Sequence, residues 1–129
     1  MSKATGSFVV KLNALPFEGA SSEMLGRRSI DKQFQGGLDA VSQGMMLSAG
    51  TPTRGSAGYV AIEQVTGVLD GRRGAFVLQH HATMNRGVPS LSIIVVPDSG
   101  TDELVGLSGT MGITITDGTH FYDFEYTLP

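Results

Sequence analysis

Glycine and proline interrupt this sequence so often that a helix has almost nowhere to form. The longest stretch free of both is Ala75 to Arg86, barely one mean helix of about 11–12 residues. It follows a sharp turn signal and opens Ala75-Phe76-Val77-Leu78, a β-branched and aromatic start that reads as a strand. Elsewhere the alternation is plainer. Phe8, Val10 and Leu12 alternate with Val9, Lys11 and Asn13; Ile30, Lys32 and Phe34 share one face; Ile113 and Ile115 alternate with Thr114 and Thr116.

Turn signals fall at Gly36-Gly37, Gly50-Thr51-Pro52, Asp70-Gly71, Arg86-Gly87, Pro97 to Gly100 and Asp117-Gly118. Their spacing is wider than the 8–12 residues of a sandwich and suits long strands with tight turns. Counting segments predicts an all-β chain of about eight strands in a closed antiparallel up-and-down barrel, a number at which side chains nearly fill the interior. Closure also removes exposed edges from a chain rich in Val and Ile. Ser56-Ala57 and Gly19 to Glu23 read as loops, so the whole of 1–129 is expected to be one domain.

Asp-Gly between alternating runs favours a type I′ hairpin. Centring a turn on Asp117-Gly118 pairs Ile115 with His120, Ile113 with Tyr122, Met111 with Phe124 and Gly109 with Tyr126. That face must point inward, because a one-residue slip would bury Asp123 and Glu125 instead. Around Asp70-Gly71-Arg72 two turn centres are open, and both preserve parity. Tyr59, Ala61, Glu63, Val65, Gly67 and Leu69 then share an inner face with Gly74, Phe76, Leu78, His80 and Ala82. With Gly71-Arg72 at the centre, Glu63 and His80 are directly opposed; with Asp70-Gly71 they are diagonal.

A carboxylate in an apolar interior costs several kcal/mol unless paired or neutralised, so Glu63 and His80 are expected to share a proton or hydrogen bond. Tyr122, Tyr126 and His120 are further candidate partners. The pair is either a self-satisfied structural network or the polar end of a ligand chamber. Candidate ligand-binding residues are therefore Glu63, His80, Tyr59, His120, Tyr122 and Tyr126. Only Glu63, His80 and His120 together would make a metal set; His80-His81 cannot, since strand neighbours face opposite sides. No metal and no cofactor are expected. Ser29-Ile30-Asp31-Lys32 matches a Ser-x-x-Lys pattern without its companion motifs, and is read as chance. A phosphate cradle at Asp98 to Asp102 is disfavoured by its aspartates.

Composition excludes several classes. A net charge of −3, with 9 basic and 12 acidic residues, offers no basic surface for nucleic acid. The count of 0 cysteines excludes a thiolate nucleophile and a disulfide framework. No apolar run is long enough for a signal peptide or membrane span, which leaves the cytoplasm as the expected location.

Several stretches together resemble a known bacterial family of small proteins described only as a domain of unknown function. They are Phe34-Gln35-Gly36-Gly37-Leu38, Gly58 to Glu63, Gly71 to His80, Val95 to Leu104 and Asp117 to Tyr122. The family's fold is similar to the barrel of plant allene oxide cyclase, of calycin-like type. The chain departs from its pattern at Asp98, Asp102 and His81-Ala82. The resemblance implies a closed barrel of about eight antiparallel strands, assembled as a homo-oligomer, and no particular reaction. The expected function is binding of a small apolar ligand inside the barrel, with Glu63 and His80 as polar anchors. The alternatives are an isomerase or cyclase using that pair as acid and base, and a purely structural or interaction protein.

Overall fold

The computed structural model describes residues 1–19 and 23–129. Most of the loop expected at Gly19 to Glu23, residues 20–22, lies outside the described residues. Among the described residues the chain forms eight strands: β1 Ser2–Leu15, β2 Leu25–Gly36, β3 Leu38–Gly50, β4 Ala57–Leu69, β5 Arg72–Asn85, β6 Val88–Val95, β7 Ser108–Thr116 and β8 Thr119–Thr127. They close into a barrel in sequence order, every neighbouring pair antiparallel. The only helical turn among them is Asp102–Leu104, and no helix is long and apolar enough to cross a membrane.

The tight turns follow from the residues at their centres. Asp70 and Gly71 have φ of +47° and +86°, and Asp117 and Gly118 have +50° and +78°, the left-handed pair that a two-residue hairpin needs. The second turn produces the expected register, Ile115 with His120 through Gly109 with Tyr126. The first selects the Asp70-Gly71 centre, so Leu69 pairs with Arg72, Glu63 with Leu78 and Ala61 with His80.

The two ends of the barrel differ. At the end holding the β2–β3 and β4–β5 turns, Phe34, Phe76, Phe124, Leu38 and Leu69 are essentially fully buried, and Phe76 stacks on Phe124 with centroids 5.7 Å apart. At the other end β1 to β5, 12 to 14 residues long, outreach β7 and β8, 9 residues each. The wall is also incomplete there: among the described residues β6 and β7 pair only at Ile94 and Thr110. Ile115, on the inward face by parity, is 62% exposed at this short edge.

Because β6 pairs β5 only from Leu78 onward, the first residues of β5 need other partners. The β6–β7 connection supplies them. Side-chain oxygens of Ser99, Thr101 and Glu103 accept the backbone N–H groups of Val77, Ala75 and Arg73, each at 3.0 Å. Alternate residues on both segments meet, so a row of side chains replaces a missing strand, with Leu104 and Leu107 buried beneath it. The Asp98 to Asp102 stretch is thus a structured loop.

Candidate functional site

The inner faces of β2, β3, β4 and β5 carry Lys32, Ser42, Glu63 and His80, all four buried. Glu63 is their hub. Its Oε2 accepts from Lys32 Nζ at 2.8 Å and lies 2.5 Å from His80 Nε2, while its Oε1 accepts from Ser42 Oγ at 2.7 Å. Lys32 also lies over the rings of Phe8 and Phe34, 4.8 and 5.7 Å from their centroids, a position that suits a cation. No buried side-chain nitrogen or oxygen among the described residues lacks a hydrogen-bond partner.

Burial alone would raise the Glu63 pKa. The hydrogen bond from His80 and the Lys32 charge outweigh it and lower the carboxyl to about 2. Glu63 is therefore an ionised, triply hydrogen-bonded carboxylate, and His80 must carry a proton on Nε2 to donate to it. Gly44 makes the placement possible. It is the Cα partner of Glu63, and a Cβ there would sit 2.0 Å from the Ile62 carbonyl oxygen and 2.6 Å from Glu63 Cα.

Above this cluster, at the open end, lies a cavity of about 740 Å³ whose lining includes Arg28, Met46, Ser48, Tyr59, Ala82 and Leu91. Tyr59 pairs with Ala82 across β4 and β5, and the next inward-facing pair is Ala61 and His80. The cavity floor therefore rests on the His80 level. Burial first, and the Glu63 charge second, raise the Tyr59 pKa, which keeps its phenol a hydrogen-bond donor.

Of the residues expected at the site, Glu63 and His80 are brought together, and Tyr59 lines the cavity. Neither Glu63 nor His80 lines it; they are 0% and 3% exposed. Tyr122 and Tyr126 do not join the cluster. The Tyr122 hydroxyl donates to the Gln35 carbonyl at 2.8 Å and accepts from the Leu38 N–H at 2.9 Å, bracing the β2–β3 turn. Tyr126 bonds the Asp70 carboxylate in the β4–β5 turn. His120 packs on Phe8, centroids 5.1 Å apart, and no group of three His, Asp or Glu among the described residues is placed to hold a metal. Ser29 and Lys32 lie on opposite faces of β2, so the Ser-x-x-Lys match has no chemical meaning. Lys32 and Ser42 were not anticipated, although Lys32 alternates with Ile30 and Phe34.

No curated protein matches this chain. A crystal structure of a protein of unknown function from the DUF3224 family of Shewanella oneidensis MR-1 is similar to it, with 52% sequence identity and a TM-score of 0.95. The match covers 100% of this chain and 98% of that one. The model of the same family, proteins of unknown function, matches residues 4–126. The chain belongs to the DUF3224 family.

Proposed function

We propose that the open end of the barrel binds one small, mostly apolar molecule, with the Lys32–Glu63–His80 cluster holding the floor of the chamber. The observation that carries this reading is the cavity of about 740 Å³ above a buried, fully hydrogen-bonded cluster, within the 300–1,000 Å³ range of small-molecule sites. Met46, Ala82 and Leu91 offer apolar surface and Tyr59 and Ser48 offer donors, a few polar groups among apolar ones. Glu63 and His80 anchor the ligand indirectly, through the layer that carries Tyr59.

An acid–base enzyme fits less well. Glu63 is sealed from the cavity, and its proton affinity is far too low for a base poised near neutral pH. The resemblance in sequence implies no more than the shape of an allene oxide cyclase barrel, and shape alone assigns no reaction. A cytoplasmic homo-oligomer belongs to the same proposal. The outward side chains of Met45, Leu47, Val60 and Ile62, paired across β3 and β4 and each at least 39% exposed, favour assembly.

Native mass spectrometry of the protein purified from cells tests the reading. A discrete small-molecule adduct is expected, lost in a Met46→Trp variant that fills the cavity. Absence of any adduct, together with no binding of the neutral probe N-phenyl-1-naphthylamine, overturns it.

A further inference from the structure

The charged side chains that line the cavity are all of one sign. The chain carries 12 acidic residues, yet none of them lines the cavity, whereas Arg28 and Arg54 both do. Asp39, Asp70, Asp98, Asp102 and Glu103 belong to the strand ends and connections at the packed end, while Glu18, Glu23 and Asp117 lie on connections of the open end away from the cavity lining. Four of the six arginines, Arg27, Arg28, Arg54 and Arg86, lie at the open end. Arg27 is occupied by the Pro16 carbonyl at 3.2 Å. Neither Arg28 nor Arg54 takes part in any of the ion pairs among the described residues.

Two guanidinium groups that make no ion pair among the described residues, beside a largely apolar chamber, are a recognisable chemical arrangement. A guanidinium presents a planar fork of donors that matches a carboxylate or sulfonate. Low-dielectric walls strengthen its field, which also steers an anion toward a protein that is negative overall. The loop carrying Arg54 is held in place: Thr51 Oγ1 donates to the Ser56 carbonyl at 2.7 Å, and the Gly87 N–H donates to the Gly55 carbonyl at 3.0 Å. Below the arginines come Ser48 and Tyr59, and around them Met46, Ala82 and Leu91.

Resting on the cavity reading above, we infer that the ligand is an amphipathic anion, with its acidic group at the rim by Arg28 and Arg54. Its apolar body lies on Met46, Ala82 and Leu91.

Two fluorescent probes with a similar aromatic body separate this inference from the reading beneath it. They are 1-anilinonaphthalene-8-sulfonate, an anion, and neutral N-phenyl-1-naphthylamine. The anion is expected to bind the wild-type protein about tenfold or more tighter than the neutral probe, the gain of a charge-assisted contact. The double variant Arg28→Gln/Arg54→Gln is expected to lose that advantage while binding the neutral probe as before. Equal affinity for both probes, or an anion preference that survives the double variant, overturns the anionic ligand and leaves the cavity reading intact. Failure of both probes to bind, or anion binding that persists in Met46→Trp, overturns the cavity reading and this inference together.

Discussion

The Glu63 carboxylate reaches the His80 ring on a diagonal. Leu78 is the Cα partner of Glu63 and Ala61 that of His80, yet Oε2 and Nε2 are 2.5 Å apart. The small Ala61 leaves the space that the two longer side chains cross. On the other side of β4, Gly44 stands opposite Glu63, and Lys32 and Ser42 complete the shell from β2 and β3. Side chains from four strands therefore converge on a single carboxylate.

Removing one member of that shell should be costly. Lys32→Met removes a charged donor from the buried Glu63 carboxylate, and a loss of about 3–5 kcal/mol is expected in urea unfolding. Glu63→Gln alone strands the Lys32 charge. The double variant Lys32→Met/Glu63→Gln should recover about 1 kcal/mol or more relative to the sum of the single losses, because the two groups are coupled. Single-variant losses below about 1 kcal/mol, in the range of exposed pairs, would show that the cluster does not hold the barrel.

The cluster also sets an acid limit. The folded pKa of Glu63, about 2, lies below the ordinary 4.5. Its contribution is therefore complete above pH 4.5 and is lost as the pH falls toward 2. That difference corresponds to about 3 kcal/mol at neutral pH. Between pH 5 and pH 2, about the two pKa values, wild type should lose roughly that much more stability than Glu63→Gln, which has nothing to titrate at this position. Parallel curves for the two proteins across this window would disprove the linkage.

Alternation and turn chemistry made the faces legible. Asp117-Gly118 and Asp70-Gly71 announce positive φ, and the parity they impose places Glu63, His80 and the three tyrosines inward. Parity fixes a face and not a level along the barrel, so Tyr122 and Tyr126 share a face with the cluster yet brace the opposite end. Nor could spacing show that the Asp70 carboxylate meets Tyr126, 56 residues away in sequence. Lys32 was visible as a polar residue between Ile30 and Phe34. Its reason for being there is Glu63, 31 residues on and on a strand that does not pair with β2. The cavity depends on where the small side chain of Ala82 meets Tyr59 and Leu91 on its neighbouring strands, which no periodicity records.

Gly44 is the position where one methyl should do most harm to the site. Its added carbon would overlap the Ile62 carbonyl and the Glu63 backbone, so β3 and β4 would have to separate. A loss of about 3 kcal/mol is expected for Gly44→Ala, the upper range of overpacking. The Glu63 carboxyl should move back up toward its ordinary value, read by NMR titration. Gly50→Ala, with nothing within 4 Å of its added carbon, is the control and should change stability by less than about 1 kcal/mol. Equal effects at the two positions would refute the packing account.

The row of side chains that replaces a strand beside β5 should behave as separate hydrogen bonds. Ser99→Ala and Thr101→Val each remove one acceptor, from Val77 and Ala75 respectively. Each should cost about 0.5–1.5 kcal/mol, more where the freed N–H is shielded from water. Hydrogen exchange at the Val77 and Ala75 amides should rise selectively in the matching variant. If exchange at those amides is unchanged, the side chains are not their partners in solution.

The incomplete seam between β6 and β7 should be visible in the same measurement. Beyond Ile94 and Thr110 no register joins the two strands, while β5 pairs β6 from Leu78–Val95 to Asn85–Val88 and β8 pairs β7 from Ser108–Thr127 to Thr116–Thr119. In an antiparallel ladder alternate residues direct their N–H groups to opposite neighbours. Along Val88 to Ile93 and Met111 to Thr116, alternate amides are therefore expected to exchange fast and their neighbours slowly. Along β4, paired on both sides by β3 and β5, protection should be continuous. The seam borders the cavity, because Pro89, Ser90 and Leu91 line it, so a bound ligand should slow the exposed amides of β6 before those of any other strand. Uniform protection of β6 in the ligand-free protein would mean that the barrel wall is closed and that the chamber opens only at its end.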